Sequence, residues 1–527
     1  MALAAAMAPA MAHAQLVPDL RGEVEENVLG IPRPGTATSP EAADVTAAPA
    51  ALPGARPGAS VLDGQPAAVT FDNAEPFDAD DDTGDDADAV GALIENAEEP
   101  DPDDPARFGR TEAVGSIGPL ATGTGSVDED PFAPLGLRLG TFTVFTTLDL
   151  GVSHTRTRST FANVGATPQT YGTADTQGTF GEAALTLRGT SDWSRHAVDF
   201  GFSGRLPVRV SGEADTEPEA RADAALRMDI DRETQLNLSA AYAYRKDDPG
   251  SAAVAIATDP LLFPGLGTTD DPVTQTFSGA VGLQRQAGPF SALAEINGER
   301  QVHDSATLTD GTVVSQDDLD YVRYGGRLRG GYSVSPLLTP FAEIEYSQRV
   351  MDVRPDPAGI DRNAARYALR LGTAFDGGEK LSGEIALGYV WEDLADAALA
   401  DIGGLSVVGS LNWSPRRQTN VSAGIGTTTT TSGAADVSGA LVYAANLGVT
   451  HRARADLELN GALNIEYDDV TGAAEDEITV GGTVGATWWF NRFVGLTGRI
   501  GHERTYSDDP TEETGTTNAF VGVRLQR

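Results

Sequence analysis

The chain contains no cysteine, only two lysines and no long apolar run. Without cysteine it can hold neither a disulfide bridge nor a metal ion bound by thiolates. A membrane helix needs about 20 predominantly apolar residues in a row, and no stretch of the sequence reaches that length. If the protein meets a membrane, it must cross it as a β-barrel, because only helices and closed barrels satisfy every backbone polar group in lipid.

Negative charge is in large excess, with 77 Asp and Glu against 37 Lys and Arg and a net charge of −40. About half of that excess lies in residues 15–132, which hold 26 acidic residues and five Arg. Because such a segment buries too little apolar surface to offset its chain entropy, we predict that it is a disordered, acidic periplasmic extension. The Asp run at 78–86 places Gly84 at the wrong offset for a calcium loop, which favours a solvated tail.

Residues 1–14 are rich in Ala and Met and end in Ala12, His13 and Ala14, a small-x-small pattern typical of signal-peptide cleavage. The positively charged start of a signal peptide is missing. The interpretation is a signal peptide truncated at its start, and the alternative is a segment that is not a signal. The predicted organisation is therefore a signal peptide at 1–14, a disordered segment at 15–132 and a β-barrel at 133–527.

The strongest pattern in the chain is a one-for-one alternation of charged and apolar side chains between residues 321 and 391. In the first of its segments, Arg323, Arg327 and Arg329 alternate with apolar and aromatic residues. A period of two places each set on its own face of a strand. An Arg that faces lipid at the midplane of a membrane costs about 2–4 kcal/mol, so three on one strand favour an inward charged face and a lipid-facing apolar face.

The same alternation marks eighteen candidate strands, each long enough for the ~9–11 residues of a tilted membrane strand. They lie near 137–151, 179–191, 196–209, 217–230, 233–246, 273–285, 290–302, 319–332, 338–351, 364–375, 380–392, 402–413, 418–428, 438–450, 455–467, 476–490, 493–506 and 515–526. Short turns alternate with longer loops such as 153–178, and outer-membrane barrels place the short turns in the periplasm. The predicted fold is all-β: a transmembrane, antiparallel, up-and-down β-barrel of about 18 strands. A soluble β-sandwich or β-solenoid is the alternative, but no linkers divide the chain after Pro131 and no fixed repeat of about 20–50 residues stands out.

Charged residues on the predicted inward face fall on four consecutive strands. Opposite charges on neighbouring strands can pair at about 5 Å, and the planar Arg side chain suits pairing with carboxylates. We therefore predict one pore-lining charged ladder: Arg323, Arg327, Arg329, Glu343, Glu345, Arg366, Arg370 and Glu384. Strands between 402 and 490 place mainly Ser, Gly, Thr, Ala and Asn inward, so we expect a lopsided lumen.

The sequence contains no recognisable catalytic motif. The six His residues are scattered singly, without the Ser or Asp context that would orient a general base. The sequence shows neither a phosphate-binding Gly loop nor a cluster with zinc-ligand spacing. It therefore predicts no enzyme activity, no catalytic residue, no metal, no cofactor and no nucleic-acid partner.

Two functions fit the predicted barrel. The first is an outer-membrane porin for passive diffusion of small polar or charged solutes, in which Arg and carboxylate columns create a field across the lumen. The second is a non-conducting structural or accessory barrel, filled by the acidic segment or loops, whose acidic loops bind lipopolysaccharide through divalent cations. Outer-membrane lipid is a partner in both, and the sequence leaves open a homo-oligomer or an envelope partner.

The segments 137–151 and 191–204 resemble those of the β-barrel porin 2 family of alphaproteobacterial outer-membrane proteins. The ending 519–527 is similar to that family's last strand, which implies recognition by the barrel-assembly machinery. Phe520, Gly522 and Leu525 keep the frame of the assembly signal, and Arg527 stands where an aromatic residue is usual. The resemblance covers 133–527 and implies a barrel in the outer membrane of a Gram-negative bacterium. Some relatives are associated with exopolysaccharide export, which implies such a partner system for the accessory alternative.

Overall fold

The computed structural model describes residues 131–527, apart from 163–170, 215, 247–267, 271, 417, 434–435, 473 and 509–512. The predicted signal peptide and the acidic segment up to residue 130 lie outside the described residues. The described chain is nearly all strand, with one 3₁₀ turn at Gly378–Lys380. Its strands are β1 (Leu137–Leu139), β2 (Phe142–Ala162), β3 (Tyr171–Ser191), β4 (His196–Gly212), β5 (Glu219–Asp229), β6 (Thr234–Lys246), β7 (Thr268–Asp270), β8 (Val273–Ala287), β9 (Phe290–His303), β10 (Ala306–Leu308), β11 (Val313–Val314), β12 (Tyr321–Tyr332), β13 (Leu338–Met351), β14 (Ala364–Asp376), β15 (Leu381–Leu394), β16 (Ile402–Arg416), β17 (Thr419–Thr429), β18 (Val437–Arg454), β19 (Leu457–Gly472), β20 (Glu477–Asn491), β21 (Val494–Ser507) and β22 (Thr514–Gln526).

Eighteen of these strands form a closed antiparallel barrel. Each barrel strand pairs with the next one along the chain, and β2 also pairs with β22, which closes the sheet. β1 pairs only with β2, and β7, β10 and β11 form a separate three-stranded sheet in the connections between barrel strands. The predicted fold is confirmed, and each of the eighteen predicted strands overlaps one barrel strand.

The predicted loop at 153–178 is wrong over most of its length, because β2 continues to Ala162 and β3 begins at Tyr171. The outward face of this extension carries charge: Arg156 and Arg158 both pair with Asp175. Because such charges are not stable against hydrocarbon, this part of the hairpin stands outside the membrane. Membrane thickness therefore does not limit the length of these two strands.

The apolar side chains of the barrel strands point outward. Leu371 on β14 is 66% exposed, whereas Glu343 on the adjacent β13 is 3% exposed. Aromatic rings mark both ends of this apolar surface. Tyr367 contacts both Tyr346 and Trp391 at the end nearer the long loops. Rings nearer the short turns include the pairs Phe290–Tyr332 and Trp488–Phe490. Two such belts match the two membrane–water interfaces.

Both ends of the barrel chain lie at the same rim as the short turns, here called the short-turn rim; the opposite end is the long-loop rim. The N–H of Thr146, near the start of β2, donates to the carbonyl oxygen of Arg527 at 3.0 Å, and the Arg527 N–H donates back at 3.0 Å. The N–H of Asp192, in the turn after β3, donates to Thr141 at 2.7 Å. An even number of antiparallel strands produces this arrangement. Within the described ranges, no helix is long and apolar enough to span a membrane.

Candidate functional site

The strand register brings the charged residues of β12, β13 and β14 into adjacent columns. Arg329 lies directly opposite Glu343, and Glu343 lies directly opposite Arg370 on the next strand. Because side chains alternate along each strand, residues that share a row in this register also share a face. The alternation read from the sequence therefore becomes a two-dimensional array of charges on the inner wall.

Arg329 and Glu343 lie at the centre of this array. The Arg329 Nε donates to a Glu343 carboxylate oxygen at 2.7 Å. Its two Nη atoms donate to the two oxygens of Glu384 at 2.8 and 3.2 Å, although β15 is three strands away from β12. The same guanidinium lies 4.0 Å from the ring centroid of Phe341. One Arg thus ties together β12, β13 and β15 through charged hydrogen bonds.

The remaining pairs extend the array in both directions. Arg327 lies 3.0 Å from Glu295 on β9 and 3.7 Å from Glu343. Arg370 donates to Glu343 at 2.9 Å, to Glu345 at 2.7 Å and to the Ser406 hydroxyl on β16 at 2.7 Å. Arg366 donates to Glu345 at 3.0 Å. Seven of the eight predicted residues are therefore joined by contacts of 4 Å or less.

The eighth residue, Arg323, lies on the same inner face, opposite Glu299 on β9 and Arg349 on β13. Arg349 in turn pairs with Glu392 on β15 at 2.8 Å. Sequence reasoning missed four members of the array: Glu295, Glu299, Arg349 and Glu392. Each lies in phase with the alternation of its own strand, so extending the pattern along β9, β13 and β15 could have identified them. With these four included, the charged ladder contains six Arg and six Glu.

Little of the charged ladder is open to solvent. Side chains in its central pairs range from 3% exposed at Glu343 to 16% at Glu345. Ion pairs in such an environment interact more strongly than pairs on a surface, but each charge depends on its partners because desolvation is costly. The ladder is a packed, charge-balanced layer against the wall rather than a row of separate side chains in water. Its role in lining an open pore stays a prediction.

A second inward cluster lies where the first and last barrel strands meet. Arg524 on β22 donates to both carboxylate oxygens of Asp149 on β2 at 2.9 Å each. Arg499 on β21 pairs with Glu182 on β3 and stacks 4.0 Å from the ring centroid of Phe520. Four strands are thereby linked across the closure of the barrel. This cluster was not predicted, because its members are up to 375 positions apart in sequence.

Charged residues also face the lumen from opposite walls. Arg245 on β6 and Glu466 on β19 are in phase with the inward residues of their strands, which are eight positions apart around the barrel. Glu503 on β21 accepts a hydrogen bond from Asn464 on β19 at 3.3 Å. This side of the interior combines an Arg on one wall with carboxylates on the other. Among the residues that the structure describes, no group of three or more His, Cys, Asp and Glu is placed to hold a metal ion.

Comparison with known proteins identifies the family. The family model described as Putative beta-barrel porin 2 matches residues 130–527, which is the whole barrel. No curated protein matches the chain.

Several solved structures are similar in part. The copper transporter OprC is similar over 74% of this chain and 81% of its own, with 9% identity and a TM-score of 0.38. The siderophore receptor PiuA from Acinetobacter baumannii is similar over 72% of this chain and 82% of its own, with 10% identity and a TM-score of 0.35. The FrpB iron transporter from Neisseria meningitidis (F3-3 variant) has 8% identity and a TM-score of 0.34 over 67% of this chain. The match spans 62% of FrpB, less than two thirds of its length.

Proposed function

Since the chain belongs to the family described as Putative beta-barrel porin 2, we propose that it is an outer-membrane channel for passive diffusion of small polar or charged solutes. The observation that carries this proposal is the closed ring of eighteen strands with an apolar outer face and a charged inner face. Barrels of 16–18 strands enclose an aqueous channel in known porins. The proposed location is the outer membrane of a Gram-negative bacterium, and an alphaproteobacterial source stays a prediction.

The distribution of charge inside the barrel supports a filter for charged solutes. The charged ladder is balanced, so it contributes little net potential to the lumen. Arg245 and Glu466 instead face the interior from strands eight positions apart around the barrel, and low-dielectric walls strengthen the field between opposite charges placed in this way. A solute that crosses this region would be oriented by its own charge distribution, which is how a channel without a dedicated binding site can still discriminate.

The test is a measurement of ionic conductance across a lipid bilayer. Purified full-length protein added to a planar lipid bilayer should produce stepwise increases in conductance, each from the insertion of one barrel. Reversal potentials in a salt gradient then give the ion selectivity. A barrel that is correctly folded, judged by its heat-dependent mobility on a gel, but that passes no current would refute the channel function.

The second candidate is a non-conducting accessory barrel, and the low exposure of the charged ladder favours it, because a filled interior would also cover these side chains. Exopolysaccharide export, lipopolysaccharide binding and an envelope partner belong to this candidate. Deleting residues 15–130 separates the two functions. Conductance that develops only after the deletion indicates a plug, whereas equal conductance in both proteins removes the plug from consideration.

A further inference from the structure

The hydrogen-bonded wall of the barrel is interrupted between β16 and β17 in the half nearer the long-loop rim. Their ladder runs only from Arg416 and Thr419 to Gly409 and Ile425. On the other side of β16, pairing with β15 continues to Ile402. β17 and β18 remain paired with each other as far as Thr429 and Leu441. β18 in turn stays paired with β19 as far as Val437 and Gly472. The outer ends of β17 and β18 thus separate from β16 together while β18 remains joined to β19, and they are here called the β17–β18 end: 427–429 and 437–443.

The β17–β18 end lies inside the barrel. Arg366 on the inner face of β14 donates to the Thr427 carbonyl oxygen at 3.5 Å, and the Thr429 hydroxyl donates to the inward-facing Glu392 on β15. In an unbroken wall, β14 and β17 would be three strand spacings apart, or about 14 Å at ~4.8 Å per strand. Arg329 spans the same number of strands because the Glu384 side chain extends to meet it. The partner of Arg366 is a backbone oxygen, which an Arg side chain alone cannot reach at that distance, so the hairpin end must lie over the inner face of β14–β16.

The packing of Leu441 also shows that the hairpin end overlaps the inner face of the wall. By alternation with the lipid-facing Leu447, Leu441 belongs to the outward face of β18, yet it is 1% exposed. It packs against inward-facing residues of β14, β15 and β16, including Ala368, Val390 and Ile402. Gly404 makes room for it, because a Cβ there would lie 2.5 Å from a Leu441 methyl carbon. The outer face of the hairpin end is therefore apposed to the inner face of the neighbouring wall.

Side chains occupy the edge that β16 leaves unpaired. The Val407 N–H donates to the Thr427 hydroxyl at 2.9 Å, and that hydroxyl donates to the Val407 carbonyl oxygen at 3.1 Å. The Tyr443 hydroxyl lies beside this edge, 3.2 Å from the position that a Cβ on Gly404 would take. The Thr427 hydroxyl takes the position of the backbone partner that a continued ladder would supply. If the register of Gly409 with Ile425 continued, Val407 would pair with Thr427 and Ser406 with Thr428.

We propose that the β17–β18 end is a gate with two arrangements. In the arrangement described here it lies in the lumen and narrows the half nearer the long-loop rim. In the other arrangement it swings into the wall, completes the ladder with β16 along the continued register, and widens the lumen. The first arrangement is stabilised by side-chain hydrogen bonds and the packing of Leu441, the second by backbone hydrogen bonds, so both satisfy the polar edge of β16. This inference rests on the proposed channel function and adds a means of regulating it.

A disulfide can fix the second arrangement, because the natural chain has no cysteine and an engineered pair is the only one present. The double variant Ser406→Cys with Thr428→Cys places thiols at directly opposite positions of the continued ladder, on the same face. The matched control is Asn412→Cys with Ser422→Cys, which already lie opposite each other in the existing β16–β17 ladder. The four single-cysteine variants report any local effect of each substitution.

The expected result has two parts. Under oxidising conditions both pairs form a disulfide, seen as a change in mobility of the unboiled, folded band. Only the Ser406–Thr428 pair increases the single-channel conductance, and a reductant reverses the increase. A control disulfide that forms readily while the Ser406–Thr428 pair does not would show that the hairpin end never joins the wall. A Ser406–Thr428 disulfide with unchanged conductance would overturn the gate and leave the channel intact. Disulfide formation with no current from any variant would instead overturn the channel function, and the gate with it.

Discussion

The centre of the charged ladder offers the sharpest prediction about stability. We expect Glu343→Gln, which removes one negative charge and keeps the shape of the side chain, to destabilise the barrel strongly. The Glu343 carboxylate lies 2.7 Å from Arg329, 2.9 Å from Arg370 and 3.7 Å from Arg327, and it is 3% exposed. Removal of one partner from a buried ion pair typically costs about 3–5 kcal/mol.

The lower end of that range applies here. After the substitution Arg329 still pairs with Glu384, Arg370 with Glu345 and Arg327 with Glu295, so no guanidinium loses its last carboxylate. We therefore expect a loss of about 3 kcal/mol in the free energy of unfolding. The matched control is Glu233→Gln, because Glu233 pairs with Arg285 at 3.3 Å with both side chains more than half exposed. A surface pair of this kind contributes about 0–1 kcal/mol.

The measurement is a urea titration of both variants and the wild type in lipid vesicles, followed by the fluorescence of the five Trp residues. The two variants should differ by about 2 kcal/mol or more, which is roughly a 30-fold difference in the unfolding equilibrium. If Glu343→Gln is no less stable than Glu233→Gln, the ladder is not a buried network, and the reasoning from burial and distance fails.

Three further predictions concern selectivity, acidity and packing. Arg366→Gln leaves Glu345 paired with Arg370 and gives the ladder one carboxylate in excess, so the reversal potential should shift toward cation selectivity relative to Arg285→Gln on the outer surface. An unchanged potential assigns the ladder a stiffening role only. A hydrogen bond from Arg156, assisted by Arg158, lowers the pKa of Asp175 from 3.8 to about 2, so this carboxylate favours the folded state above pH 3.8 and loses that contribution as the pH falls toward 2. In Arg156→Gln, ¹³C NMR of labelled Asp should report a pKa of Asp175 nearer 3.8, whereas the control Arg138→Gln should leave it unchanged. If Asp175 has the same titration curve in Arg156→Gln as in the wild type, Arg156 is not the cause of the lowered pKa. Gly388→Ala should reduce the folded fraction on a gel, because the new Cβ would lie 1.8 Å from the Leu369 carbonyl oxygen and overpacking costs about 1–3 kcal/mol. The control Gly461→Ala should fold normally, because the atom nearest to its new Cβ is 3.9 Å away.

The charged ladder shows which features of the site the alternation along each strand can predict. The phase of Arg323, Arg327 and Arg329 on one strand fixes which side chains share a face, and the cost of charge in lipid fixes which face points inward. Phase also places Glu343 and Arg370 on that face. It does not give the register between strands, and the contact of Arg329 with Glu384 requires both the register and the curvature of a closed wall.

The ends of the long strands depend on information that local pattern does not contain. The alternation of β2 and β3 continues past the membrane, but with Arg156, Arg158 and Asp175 on the outward face, so it resembles a polar loop. Their pairing across the hairpin stabilises strand structure in water. A membrane-length criterion therefore ends both strands too early.

The sequence by itself determined the class of this protein: eighteen strands, an apolar surface for lipid and a charged interior, because a period of two and the cost of charge in hydrocarbon act locally on each strand. Tertiary structure alone decided the closure at Asp149 and Arg524 and the inward fold of the β17–β18 end. Leu441 has the alternation of a lipid-facing residue and is nevertheless buried inside the barrel. Its position depends on Gly404, Ala368 and Val390, which adjoin it only after the wall has closed.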